Sequence, residues 1–137
     1  MGLDMFLEKR MKFDANGHEH TEEELHENPY TEVAYWRKAN QIRQWFVDNC
    51  NYDSEADCEY FRVTKEQLEW LVNDCKKVLE NHECAEEIMP ASSGFFFGST
   101  DYDEYYFDQL EYTIERITEV IEETDWENEI IEYFEWW

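Results

Sequence analysis

Apolar residues in this chain recur with two different periods, and the order of those periods limits the fold more than any motif does. Over residues 3–13, Leu3, Met5, Leu7, Met11 and Phe13 alternate with Asp4, Glu8, Arg10 and Lys12, the period of a half-buried strand. From residue 31 the period changes: Tyr35, Ala39, Ile42 and Phe46 stand 4, 3 and 4 apart, widened by Trp36 and Trp45, which predicts a helix capped by Thr31 and running to about Asn49. Thr64 and Gln67 have capping-box spacing and open a second helix, with Leu68, Leu71, Val72, Cys75, Val78 and Leu79 on one face and a stop near Asn81. A third begins near Asp103, its stripe being Phe107, Leu110, Ile114, Ile117 and Ile121, with Ser99, Thr100 or Asp101 as the expected cap.

Between and beyond these, "YFRV" at 60–63 reads as a short strand, and "NEIIEYFEWW" at 128–137 as a closing strand apolar on both faces. Residues 14–30 are polar and punctuated by Asn16-Gly17 and Asn28-Pro29, so they read as a long loop. Pro90, Gly94 and Gly98 rule out one continuous helix through 84–107. The expected fold class is α+β: a single domain over 1–137, with three amphipathic helices packed on a small antiparallel sheet that includes the N- and C-terminal strands.

Charge is the strongest constraint on function. The chain has 35 acids against 11 bases, a formal charge of −24. Residues 1–50 carry 10 acids and 6 bases, residues 51–100 carry 11 and 4, and residues 101–137 carry 14 and 1, so the C-terminal third is the source of the field. Self-repulsion of this size says nothing about fold but much about association. It disfavours direct binding of nucleic acid or an anionic membrane and favours a basic protein partner. Six Trp, nine Tyr and nine Phe separate the chain from acidic disordered polypeptides, which lack aromatics.

The acids are ordered as well as numerous. On the third helix, Asp108, Glu111, Glu115, Glu119 and Glu122 are spaced 3, 4, 4 and 3 along the face opposite the apolar stripe, with only Arg116 to relieve them. A row of fixed carboxylates resembles a phosphate strand, and 24 negative charges match roughly 12 base pairs of duplex. An ordinary solubilising face is the competing reading. With Asp101, Asp103 and Glu104 at the helix start and Tyr105 and Tyr112 as aromatic anchors, these residues form the expected partner-binding set.

"SSGFFFGSTDYDEYYF" at 92–107 has three readings: a buried aromatic plug ahead of a helix N-terminus, a pocket lined by rings, or a contact patch. Other chemistry is thinly marked. No phosphate-binding Gly loop, H-E-x-x-H or G-x-S-x-G is present, so no enzyme is expected, and no cofactor. His18, His20 and His26 lie among Glu22, Glu23 and Glu24, but in a segment without evident rigidity or a matched second half, so no metal site is expected either. Cys50, Cys58, Cys75 and Cys84 lack paired C-x-x-C spacing and read as reduced thiols, Cys75 as a small core residue. With no signal-like N-terminus and no apolar run of membrane-spanning length, the expected location is cytoplasmic.

The start "MGLDMFL", the stretch "EVAYWRKANQIRQWFVDN" and the segment "SSGFFFGSTDYDEYYF" together resemble a family of small, uncharacterised proteins encoded by bacteriophages and prophages. The resemblance spans most of the chain and implies a bacterial host cytoplasm, with no activity to carry over. It leads to a first expectation: an anti-CRISPR-like inhibitor occupying the basic surface of a host CRISPR effector or other defence nuclease. The second places a small ligand or nucleotide at the shared motifs, against Tyr35, Trp36, Arg37, Asn40, Ser93, Phe95 and Asp101.

Overall fold

A computed structural model describes residues 2–50, 52, 60–93 and 98–137. Cys58 and the Gly94 and Phe95 to Phe97 of the aromatic segment lie outside the described residues. The chain builds β1 (Asp4–Met11), α1 (Glu22–Glu27), β2 (Thr31–Arg37), α2 (Asn40–Cys50), β3 (Phe61–Val63), α3 (Lys65–Glu80), α4 (Ala85–Ile88), α5 (Glu104–Glu123) and β4 (Glu129–Trp136). The fold is α+β. The four strands form one antiparallel sheet in the order β2-β1-β4-β3, so the first and last strands of the chain are its two central strands.

Alternation in β1 and β4 sends Met5, Leu7, Ile131 and Tyr133 to the helical side, with Ala34 and Trp36 of β2 beside them. Ile42, Trp45 and Phe46 of α2, Leu68, Leu71 and Cys75 of α3, and Leu110 and Ile117 of α5 complete the core. The ring of Phe46 lies 4.5 Å from that of Tyr133. The capping box of α3 forms as its sequence predicts: Thr64 Oγ1 accepts from Gln67 N at 3.1 Å, and Gln67 Oε1 accepts from Thr64 N at 2.9 Å. The deepest line of α5 is Tyr106, Leu110, Thr113, Ile117 and Val120, one position round from the expected stripe, and its cap is Asp103, whose carboxylate accepts from Tyr106 N.

Two further expectations are corrected. Residues 31–49 are not one helix. Thr31–Arg37 is a strand, because Ala34 and Trp36 point inward while Tyr35 and Arg37 point outward beside Phe6 and Asp4 of β1. Lys38 then takes a left-handed conformation (φ 55°), donating its N–H to Leu3 O, and α2 starts only at Asn40. Gly98 lies against that turn: at its φ of +86° a Cβ would come 3.0 Å from Lys38 Cβ. The polar stretch 14–30 also contains a helix, α1, held by a capping box between Thr21 and Glu24 and anchored by the buried Leu25.

Among the described residues no helix is long and apolar enough to cross a membrane. Cys75 is fully buried as expected, and Cys50 is buried too. Burial pushes the Cys50 thiol up to about 11 and raises that of Cys75, helped by the Asp74 charge. In the native protein neither should react with a thiol reagent near neutral pH, whereas both should label after unfolding; peptide mapping by mass spectrometry reads the result.

Candidate partner surface along α5 and the edge strand

Strand β2 is an edge strand, and an unpaired edge leaves backbone groups without ladder partners. Helix α5 lies along that edge and supplies side-chain partners instead. Tyr105 Oη donates to Arg37 O at 3.1 Å and Gln109 Nε2 to the same oxygen at 3.2 Å. Tyr35 N donates to Tyr112 Oη at 3.2 Å, and Arg116 Nε donates to Val33 O. One turn deeper, Trp36 Nε1 donates to Thr113 Oγ1 at 2.9 Å. Residues spaced about four apart on α5 thus meet alternate residues of an extended strand.

This docking fixes the orientation of the acidic column. Asp108, Glu111, Glu115 and Glu122 are exposed, over roughly 21 Å at 1.5 Å rise per residue. Among the described residues no cation lies within ion-pair distance of these four. Glu119 differs: it is half-buried and bonded to Arg116 at 2.7 Å, while Arg116 also serves the β2 edge. At the helix start Asp101 and Glu104 are exposed, and the Asp103 carboxylate is engaged as the cap. Tyr105 and Tyr112 keep their rings at the surface although their hydroxyls are tied to β2.

The two sets of residues picked from the sequence meet at this edge. Tyr35, Trp36 and Arg37 from one set and Tyr105, Asp108 and Tyr112 from the other line a shallow groove of about 210 Å³, closed by Gln109. Arg37 is compensated within it: its Nη1 donates to Asp4 Oδ1 at 2.7 Å, and Tyr35 Oη donates to the same oxygen. Partial burial works against the Asp4 charge, but the hydrogen bonds from Tyr35 and Arg37 and the guanidinium charge outweigh it and hold the carboxyl below its ordinary value. The bond to Asp4, then burial, raises the Tyr35 phenol, so it remains a donor.

The rest of the second set is spread differently. Asn40 is buried, its amide nitrogen donating to Ser99 O at 2.8 Å and its oxygen accepting from Ser92 N at 2.9 Å. It ties together the two sides of the aromatic segment. The space enclosed by Lys38, Gln41, Ser99, Asp101 and their neighbours is about 10 Å³, at the lower limit for one water. Ser93 is exposed, and Phe95 lies outside the described residues. Sequence reasoning named Arg116 as the cation beside the acidic column but missed its bond to the β2 edge, and it missed the roles of Asp4 and Gln109. Placing residues 31–37 on a strand is the step that would have found them, through the alternation of Ala34 and Trp36 with Tyr35 and Arg37.

The polar stretch 14–30 does not gather its histidines. His18 is exposed and 3.7 Å from Asp14, and His26 faces Glu132 of β4 instead. No protein family, curated protein or solved structure matches this chain.

Proposed function

We propose that this protein is an inhibitor that occupies the basic nucleic-acid-binding surface of another protein, with the acidic face of α5 standing in for a phosphate backbone. In this reading it is phage-encoded, its target is a defence nuclease of the bacterial host, and it needs no catalysis. The observation that carries the proposal is the carboxylate row, in which Asp108, Glu111, Glu115 and Glu122 have no cation at ion-pair distance among the described residues, on a helix tied by hydrogen bonds to the edge of the sheet. A solubilising surface needs neither the alignment nor the rigid mounting, and helical surfaces ordinarily mix signs. Lys and Arg side chains that pair with phosphates in a nuclease groove can pair in the same way with a fixed row of carboxylates. Of the residues expected for a ligand site, Tyr35, Trp36 and Arg37 line the shallow groove, whereas Asn40 is engaged by the backbone of Ser92 and Ser99.

Two properties should distinguish such an inhibitor. Its complex with the target should form fast and weaken steeply with salt, and duplex DNA should displace it. The test is capture of purified bacterial nucleases on the immobilised protein, followed by elution with a salt gradient or with competing duplex. Retention that neither salt nor DNA reverses would overturn the reading.

A further inference from the structure

The outward face of the sheet carries a second, separate cluster, beneath α1. Arg10, Glu8 and Glu132 are 3%, 5% and 1% exposed there, with Arg10 Nη2 donating to Glu8 at 2.9 Å and Nη1 to Glu132 Oε1 at 3.1 Å. Two buried carboxylates share one buried guanidinium. Glu22, at the edge of the cluster, has Arg62 at 3.6 Å, so the group as a whole keeps one negative charge in excess. Buried charge is costly unless it is paired; beside Arg10, Glu132 has His26 at hydrogen-bond distance, and a cation held between the two would balance the excess.

His26 supplies the geometry for one. Its Nε2 lies 3.1 and 3.2 Å from the two oxygens of Glu132, and its ring is fixed by stacking on Tyr60, with centroids 4.0 Å apart and planes 18° apart. Glu22 stands one helical turn before His26 on α1, and ligand atoms of Glu22, His26 and Glu132 all lie within 4.8 Å of one another. Metal–ligand bonds of 2.0–2.2 Å in a tetrahedral site put neighbouring ligand atoms roughly 3.4 Å apart. The His26–Glu132 separation is a hydrogen-bond distance slightly below that, so an ion entering between them would replace this bond and widen the pair by a few tenths of an ångström, and the exposed Glu22 side chain has only to swing inward. Arg10, bonded to Glu132, would act as the hydrogen-bond donor that orients a ligating carboxylate.

We propose that Glu22, His26 and Glu132 form a binding site for a divalent ion of the zinc class, which ties α1 to the central strand of the sheet. One imidazole and two carboxylates suit a borderline first-row ion, with a fourth position left for water. The site is independent of the acidic face of α5.

The test is titration of the metal-free full-length protein with Zn²⁺ in millimolar Mg²⁺, which saturates unspecific acidic surface, with Co²⁺ absorption as a readout of coordination. One equivalent should bind per chain and raise the thermal midpoint. His26→Gln and Glu22→Gln should each weaken binding by about 10- to 100-fold or more, since loss of even an outer partner of a metal site costs that much. Glu122→Gln on α5 should leave it unchanged. Glu22 is exposed and outside the α1 capping box, so Glu22→Gln folds normally and keeps the test decisive if His26→Gln does not. Zn²⁺ binding that is absent in the presence of Mg²⁺, or that survives Glu22→Gln intact, overturns the proposal.

Discussion

Replacing Arg43 by alanine should destabilise the protein by about 3–5 kcal/mol, the cost of breaking a buried ion pair from one side. Arg43 of α2 and Glu135 of β4 are both buried on the helical side of the sheet, with Arg43 Nε donating to Glu135 Oε2 at 2.8 Å. The carboxylate also accepts from Tyr133 Oη at 2.9 Å and from Trp137 Nε1 at 2.8 Å. Burial, then the Glu135 charge and hydrogen bond, raise the Tyr133 phenol far above its ordinary value, so it stays a donor. Neutral donors do not replace the guanidinium charge, which is why the single deletion is severe. The pair itself need not add net stability. Arg43→Met combined with Glu135→Gln removes both charges and keeps an acceptor for Tyr133, so it should cost much less than Arg43→Ala alone. Urea unfolding of the three proteins measures this, and an Arg43→Ala variant within about 1 kcal/mol of the parent would be incompatible with a buried pair.

The elements that could be read from sequence are those whose signal is local. β1 alternates, β4 is a short run of β-formers, α3 opens on a Thr64/Gln67 capping box, and α5 carries a stripe at helical spacing, so each appears close to where it was expected. The strand β2 was hidden by an accident of spacing. Tyr35 and Ala39 lie four apart as a helix requires, but Lys38 between them is left-handed, and the two residues belong to different elements. The same four-residue logic missed α1, where the Thr21/Glu24 box sits in a stretch with a single apolar anchor, Leu25. For function, the acidic column needed only periodicity. The tyrosine hydroxyls on β2 and the meeting of His26 with Glu132 depend on contacts 77 and 106 residues apart, which no local pattern encodes.

Reversing Glu111, Glu115 and Glu122 to lysine should weaken capture of a basic nuclease by ~100-fold or more, because like charges juxtaposed across an interface cost several kcal/mol. The substitution moves the net charge from −24 to −18 and breaks the carboxylate row at three of its exposed positions. Folding should be unaffected or slightly favoured. The three side chains are exposed and make no ion pair among the described residues, and relieving like-charge neighbours on a helix is worth a few tenths of a kcal/mol per pair. The decisive comparison is a second triple reversal, Glu83, Glu86 and Glu87 to lysine, which gives the same net charge at exposed sites off the carboxylate row. If binding depends on the total field, the two variants should weaken alike. If it depends on the row, only the α5 variant should lose binding, and its remaining affinity should depend less steeply on salt because fewer basic groups of the target are engaged. Binding undiminished in the α5 variant would leave the acidity of this helix with a solubilising role alone.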